Sequence, residues 1–265
     1  RPITMTDLVF VQMYQAIVDE DVDYLASLTA PGGGPMFKPG FLEYLRGHRL
    51  DLTIDAVPEG TVVFPHEPIV RVCGPIMDCQ LIETALLNCV NFETLIATKA
   101  ARVCLAAQAP VAEFGLRRAQ GPDAGIYGAR AAMIAGCIGT SNVLAGKMFG
   151  VPIKGTHAHS WIMSFSDEMT AFRAYAEQYE NMLVLLVDTY DTLRKGVPAA
   201  IQVFKEVRER RGGTMPKGYG VRLDSGDLSY LSQEVRKMMD DAGFNDAIIF
   251  ASNDLDEYTI VDLKH

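Results

Sequence analysis

The chain has 265 residues, 49% hydrophobic and 22% charged, with a formal net charge of -9 at pH 7. That length buries the core of one large domain or two smaller ones. The acidic balance excludes a nucleic-acid partner, which needs a basic surface, but leaves small anionic substrates open. No run approaches the roughly 20 apolar residues of a membrane span, and Arg1-Pro2-Ile3-Thr4 opens no signal peptide.

The first fifty residues predict a helix around Gln12–Leu28, a break at Pro31-Gly32-Gly33-Gly34-Pro35, and a short helix over Pro39–Gly47. The β-branched runs Thr61-Val62-Val63-Phe64 and Ile69-Val70-Arg71-Val72 read as small antiparallel strands. A long helix is expected from Met77 to Ala107, with Leu81, Ala85, Leu86, Cys89 and Phe92 on its apolar stripe. The five cysteines, Cys73, Cys79, Cys89, Cys104 and Cys137, show no Cys-x-x-Cys spacing and read as buried thiols of a reducing cytoplasm.

After Pro110 the rhythm becomes strand, loop, helix. Val111–Phe114 is a strand candidate, followed by a helix over Gly125–Phe149, and Pro152–Lys154 enters a strand ending at Thr156-His157-Ala158-His159. Asp167-Glu168 suits a helix start, where carboxylates meet the positive end of the dipole. Asn181–Val187 is almost unbroken apolar sequence, as in a parallel strand buried on both faces. A helix over Pro198–Arg211, the strand Gly220–Leu223, a helix carrying Leu228, Leu231, Val235, Met238 and Met239, and the strand Ala247–Ala251 complete the series. Asp188, Asp224 and Asn253 follow three of these strands about one βα unit apart. The expected architecture is an irregular, incomplete α/β barrel over residues 110–265 beside a smaller N-terminal α/β domain over residues 1–109. A doubly wound open sheet is the alternative.

Polar residues at the carboxyl ends of parallel strands are where such folds place their chemistry. Glu113-Phe114-Gly115-Leu116-Arg117-Arg118 combines an acid, a ring face for stacking and two guanidiniums that fit carboxylate or phosphate bidentately. A core Phe beside a solvated basic pair is the blander reading. His157 and His159, at i and i+2 on an extended segment, point to opposite sides, so they make a poor joint metal site. One would face the barrel mouth as acid–base, phosphate ligand or nucleophile; ordinary loop histidines are the alternative. Asp188 and Asp224 could hold Mg²⁺ through water, bond ribose hydroxyls or steady a cationic sugar, whereas Asp227 before Leu228 reads as a helix cap.

Several of these stretches together resemble the nicotinate phosphoribosyltransferase family. They are Ala56–Thr61, Glu83–Asn88, Thr98–Arg102, Glu113–Gly121, Gly139–Gly146, Gly155–Ser160 and Val221–Asp227, in order, within a match running from about Ile54 to Val261. The resemblance implies a type II phosphoribosyltransferase, dimeric at full length. Its reaction transfers phosphoribose from phosphoribosyl pyrophosphate to the ring nitrogen of nicotinate and releases pyrophosphate, with Mg²⁺ and with ATP hydrolysis coupled through a phosphohistidine. On this resemblance His159 is the phosphorylated histidine, Phe114 stacks on the pyridine ring, and Arg117 and Arg222 hold anionic groups. Asp188 and Asp224 lie near ribose and diphosphate. The related nicotinamide enzyme has an acid in the segment aligned with Thr140-Ser141. Hydroxyls there donate to a carboxylate substrate, which an acid would repel, so nicotinate is favoured over the amide.

Two departures bear on activity. Thr6-Asp7-Leu8 is followed by Val9, where the family has a substrate-sandwiching Tyr, with Tyr14 the nearest substitute. The sequence lacks an initiating Met and ends at His265, before the family's glycine-rich 5′-phosphate loop, so a fragment inactive on its own is expected. The alternatives to a nicotinate enzyme are a nicotinamide phosphoribosyltransferase and a catalytically inactive paralogue acting as a dimer partner. A generic barrel lyase is disfavoured, since no Schiff-base Lys stands at a strand end.

Overall fold

A computed structural model describes residues 17–264; Thr6-Asp7-Leu8-Val9, Tyr14 and the start of the expected Gln12–Leu28 helix lie outside them. The backbone falls into two compact units. The first runs to Cys104 and takes in Pro110–Ile153, and the second takes in Leu105–Ala109 and continues from Lys154 onward.

In the first unit, α1 (Asp19–Ser27) and α2 (Pro39–Leu45) precede an antiparallel ribbon of β1 (Thr53–Ala56) and β2 (Val70–Cys73), with Ile54 opposite Val72. Pro39 opens α2, where its missing N–H would have been unpaired anyway. The expected strand at Thr61–Phe64 does not form. Val62 is 91% exposed and Phe64 74%, and β2 pairs instead with Thr53–Ala56. The β-branched run has strand propensity but no face to pack against, and packing is what strand propensity reports.

Against the ribbon lies α3 (Ile76–Ala107), burying Ile82, Leu86 and Val90 beside Leu52, Ile54, Val70 and Val72. Leu86 is buried as expected, but the rest of the buried line is one row over: Ala85 is exposed and Leu81, Cys89 and Phe92 are only half-buried. Apolar residues surround much of this helix, so period alone fits either row and the ribbon selects one.

A parallel pair comes next, β3 (Ala112–Glu113) with β4 (Gly139–Thr140), and Ile153 bridges to Thr140 in place of the expected Pro152–Lys154 strand. The helix expected over Gly125–Phe149 is two helices, α4 (Pro122–Ile134) and α5 (Val143–Phe149), with β4 between them. Gly136, at φ 111°, takes a conformation that ends the helical path of α4 ahead of β4. Asn142 then caps α5 by accepting the Ala145 N–H at 3.1 Å.

The second unit holds a parallel sheet of β5 (Val184–Leu186), β6 (Gly220–Leu223) and β7 (Ile248–Ala251), in that order. Before it come a single turn, α6 (His159–Ile162), and α7 (Glu168–Gln178), whose N-cap is Asp167. The helices α8 (Val197–Arg210), α9 (Leu228–Asp241) and α10 (Glu257–Lys264) each come after a strand. Leu185, Leu186, Val187, Val221 and Leu223 are buried with Phe172, Val203, Phe204 and Met239 in one core, which is why the strands read as continuous apolar runs. The fold is the expected α/β arrangement of an incomplete barrel, and no sheet closes among the described residues. No described helix is long and apolar enough to cross a membrane.

None of the five cysteines forms a disulfide, but only Cys137 is buried; Cys73 is exposed and the other three are half-buried. Burial pushes the Cys137 thiol up to about 12, with Cys104 Sγ at 3.9 Å. The reading of all five as buried thiols therefore holds for one.

Candidate active site at the strand ends

The second unit gathers four of the predicted residues into one hydrogen-bonded chain. Asp188 lies two residues past β5, with a side chain 1% exposed, and His159 begins α6 with a side chain 37% exposed. His159 Nε2 is 3.0 Å from Asp188 Oδ1. The other oxygen, Oδ2, accepts the Asp224 N–H at 2.8 Å and the Ser225 hydroxyl at 2.6 Å. A carboxylate only accepts, so Nε2 of His159 carries the proton and Nδ1 keeps a free lone pair in the neutral ring.

Next along the chain, Asp224 Oδ1 accepts from Arg222 Nη2 at 2.6 Å and from Ser252 Oγ at 2.5 Å. Arg222 also donates through Nε to Ser252 Oγ at 2.8 Å and through Nη1 to Thr156 Oγ1 at 2.9 Å. Burial works against the charged form of Asp224, but the Ser252 hydroxyl, the Arg222 guanidinium and His159 outweigh it and hold the carboxyl below its ordinary range. The guanidinium is thus fixed in orientation by three side chains at the ends of neighbouring segments.

The backbone under this site is tightly built. A π-turn, Thr192–Gly196, leads into α8, with Asp191 accepting the Arg194 N–H at 2.9 Å. A Cβ on Gly196 would sit 1.9 Å from the Val187 carbonyl oxygen, so only glycine lets the turn close against the residue before Asp188. His157 has the opposite character from His159: it is 8% exposed, and its Nε2 accepts the Leu186 N–H at 3.2 Å.

The remaining predicted residues lie in the first unit, around the β3–β4 pair. Glu113 Oε2 accepts the Thr140 hydroxyl at 2.6 Å, its Oε1 accepts the Gly115 N–H, and its carbonyl accepts the Ser141 N–H at 3.0 Å. Thr140 is fully buried and also accepts the Asn142 N–H at 3.0 Å. Its hydroxyl hydrogen is therefore committed to Glu113, leaving Ser141, half-buried, as the hydroxyl of that pair that a ligand could use. Phe114 is half-buried, and Arg117 is exposed on a 3₁₀ turn, Leu116–Arg118.

Ser225, Ser252 and Thr156 were not singled out from sequence, although each lies in or beside a flagged strand-end motif. Hydroxyls at such ends read equally as caps, and only the network separates the two uses. The capping role read for Asp227 is present: its side chain accepts the Tyr230 N–H at 3.1 Å.

Two family profiles match the chain: the nicotinate phosphoribosyltransferase N-terminal domain over residues 7–91 and the nicotinate phosphoribosyltransferase family over residues 110–263. A nicotinate phosphoribosyltransferase of Bacillus subtilis is 56% identical over 210 residues, covering 79% of this chain and 42% of that protein. One from Mycobacterium tuberculosis is 44% identical over 246 residues, covering 92% and 50%. The crystal structure of human nicotinic acid phosphoribosyltransferase superposes with a TM-score of 0.83 at 33% identity, covering 97% of this chain and 61% of that one. The chain thus spans about half the length of the curated relatives it matches.

Proposed function

The chain belongs to the nicotinate phosphoribosyltransferase family, and from that premise we propose that its protein makes nicotinate mononucleotide and pyrophosphate from nicotinate and phosphoribosyl pyrophosphate, with coupled ATP hydrolysis. The observation that carries this reading is the chain His159–Asp188–Asp224–Arg222 at the strand ends. With Nε2 turned to Asp188, His159 offers Nδ1 as a nucleophile toward the γ-phosphate of ATP, and Asp188 orients the ring and stabilises its developing positive charge. Phosphate on that ring would add nearly two negative charges beside Arg222 and Asp224, a physical route by which ATP alters affinity for the diphosphate.

In the transfer step, departure of pyrophosphate leaves positive charge on the sugar. A fixed carboxylate such as Asp224 stabilises that charge more in the transition state than in the ground state. Arg222, locked by Thr156, Ser252 and Asp224, would hold a phosphate oxygen. In the first unit Phe114 would stack on the pyridine ring, Arg117 would meet its carboxylate, and Ser141 would donate to it.

Mg²⁺ fits as an ion brought by the diphosphate. The described residues hold no cluster of three His, Cys, Asp or Glu suited to a metal cage, whereas Asp224 keeps its second oxygen for an ion otherwise ligated by phosphate and water. Bound there, it would neutralise charge on the leaving group. A homodimer in the cytoplasm completes the proposal.

The test uses γ-labelled ATP with Mg²⁺, on the chain alone and in a protein of the relatives' full length, each beside its His159→Ala variant. Acid-labile label and nicotinate mononucleotide that both depend on His159 are the expected result. A folded full-length form that takes no label overturns the coupled mechanism.

A further inference from the structure

His159 reacts, in the proposed mechanism, only if its ring stays on Asp188, and nothing within α6 fixes the ring there. The segment leading into it does. His157 and His159 are two residues apart, and their partners Leu186 and Asp188 are also two residues apart at the end of β5. The segment is thus pinned to the strand end twice, in matching register, by imidazole nitrogens instead of a backbone ladder.

We infer that His157 is a positioning residue, whose Nε2 bond to the Leu186 amide sets where His159 meets Asp188. It sits in an aromatic slot, with ring centroids at 4.6 Å to Tyr175, 5.3 Å to Trp161 and 6.0 Å to Phe172. Accepting an amide N–H requires an unprotonated Nε2, so the ring is neutral with its proton on Nδ1, an atom that is buried without a partner. Burial, reinforced by the charges of Arg222 and His159, lowers the His157 pKa to about 4 and keeps the bond intact at neutral pH. A residue with no acceptor at this point leaves the Leu186 N–H unpaired and frees the segment. The catalytic meaning of this role rests on His159 being the reacting histidine, but the geometry does not.

The experiment therefore uses no substrate: ¹⁵N ring spectra of the full chain at pH 7.5, for the parent, His157→Phe and His157→Gln. Phe fills the aromatic slot without an acceptor, and Gln returns a carbonyl oxygen near the place of Nε2. The parent is expected to show His157 with Nε2 bare and His159 with Nε2 protonated. In the Phe variant His159 should lose that single-tautomer signature, and in the Gln variant regain it. A Phe variant with the parental His159 spectrum overturns the inference, as does a parent with His157 protonated on Nε2. Should the Phe variant not fold, His157→Leu gives the same comparison. Loss of transferase activity with these spectra unchanged would count against the proposed function alone.

Discussion

Asp188→Asn is the sharpest probe of the site, because an amide matches the carboxylate in shape and differs only in charge and in an NH₂ in place of one oxygen. Asp188 receives three donors: the His159 ring at 3.0 Å, the Asp224 amide at 2.8 Å and the Ser225 hydroxyl at 2.6 Å. Asn has one acceptor oxygen. The backbone N–H of Asp224 cannot reorient, so the oxygen stays with it and Ser225, and the new NH₂ faces His159. The imidazole must then accept through Nε2 and move its proton to Nδ1. Three contacts survive, but each loses its charge assistance, from roughly 1.5–3 kcal/mol to about 1 kcal/mol. At the low end of that range the three differences sum to a stability loss of about 1.5 kcal/mol, read by urea unfolding.

Under the proposed mechanism the kinetic consequence is larger, because a protonated Nδ1 has no lone pair for attack. Fixing a catalytic histidine in the wrong tautomer costs up to about 10⁴ in rate, and even a hundredfold loss is ~2.7 kcal/mol of barrier. Single-turnover labelling of His159 by γ-labelled ATP should therefore slow by about 10²–10⁴. An Asp188→Asn protein labelled at the parental rate, with its His159 ring shown by NMR to have reversed tautomer, would refute the assignment of Nδ1 as nucleophile.

The same geometry fixes other outcomes. His157 is neutral in the fold and takes a proton more readily when unfolded, so its stabilisation is present above pH 6.5 and is lost as pH falls toward about 4. Urea titrations at pH 7 and pH 4.5 should show a loss of roughly 2.5 kcal/mol in the parent that is largely absent from His157→Gln. Arg130 is buried against Glu93 at 2.9 Å and Glu59 at 2.7 Å, so Arg130→Met strands two carboxylates and should cost about 3–5 kcal/mol in the same assay. Gly196→Ala must displace the Val187 carbonyl and with it Asp188; slower His159 labelling and a loss of about 1–3 kcal/mol are expected. Ser141→Asp should shift the ratio of kcat/KM for nicotinate over nicotinamide at least tenfold toward the amide, and an unchanged ratio would remove Ser141 from the specificity argument.

The sheet and helices of the second unit were legible because their strands are largely apolar and the acids Asp188 and Asp224 follow just after them. Asn181–Val187, Gly220–Leu223 and Ala247–Ala251 each contain the observed strand, and Ala200, Val203, Phe204 and Val207 are the buried face of α8. The first unit was read less well because its strands are short. β4 is two residues, Gly139-Thr140, inside apolar sequence whose composition suits a helix on either side. A strand that short is made by its partner, Ala112–Glu113, and nothing local announces it. At Thr61–Phe64 the error ran the other way, with strand-like composition left in solvent for lack of a partner.

The same limit governs the site. Residue type and strand-end position could nominate Asp188, Asp224 and both histidines, because several independent strand ends repeat the same arrangement. Position could not say that Thr140 spends its hydroxyl on Glu113 while Ser141 keeps its own, nor that Ser252 stands between Arg222 and Asp224. A hydroxyl has one hydrogen, and which acceptor takes it depends on contacts that cross from one βα unit to another. The distinction matters for selectivity: a carboxylate substrate needs a donor that nothing else has claimed. Under the proposed function Ser141 alone of the pair reaches the substrate carboxylate, because Thr140 is fully buried, so Glu113→Gln alters the support of the turn without adding a donor. That variant should then keep the proposed preference for nicotinate, while Ser141→Ala loses it. Weakening in both would show that Glu113 acts by holding the Thr140-Ser141 turn in register, and would place specificity in backbone geometry before side-chain chemistry.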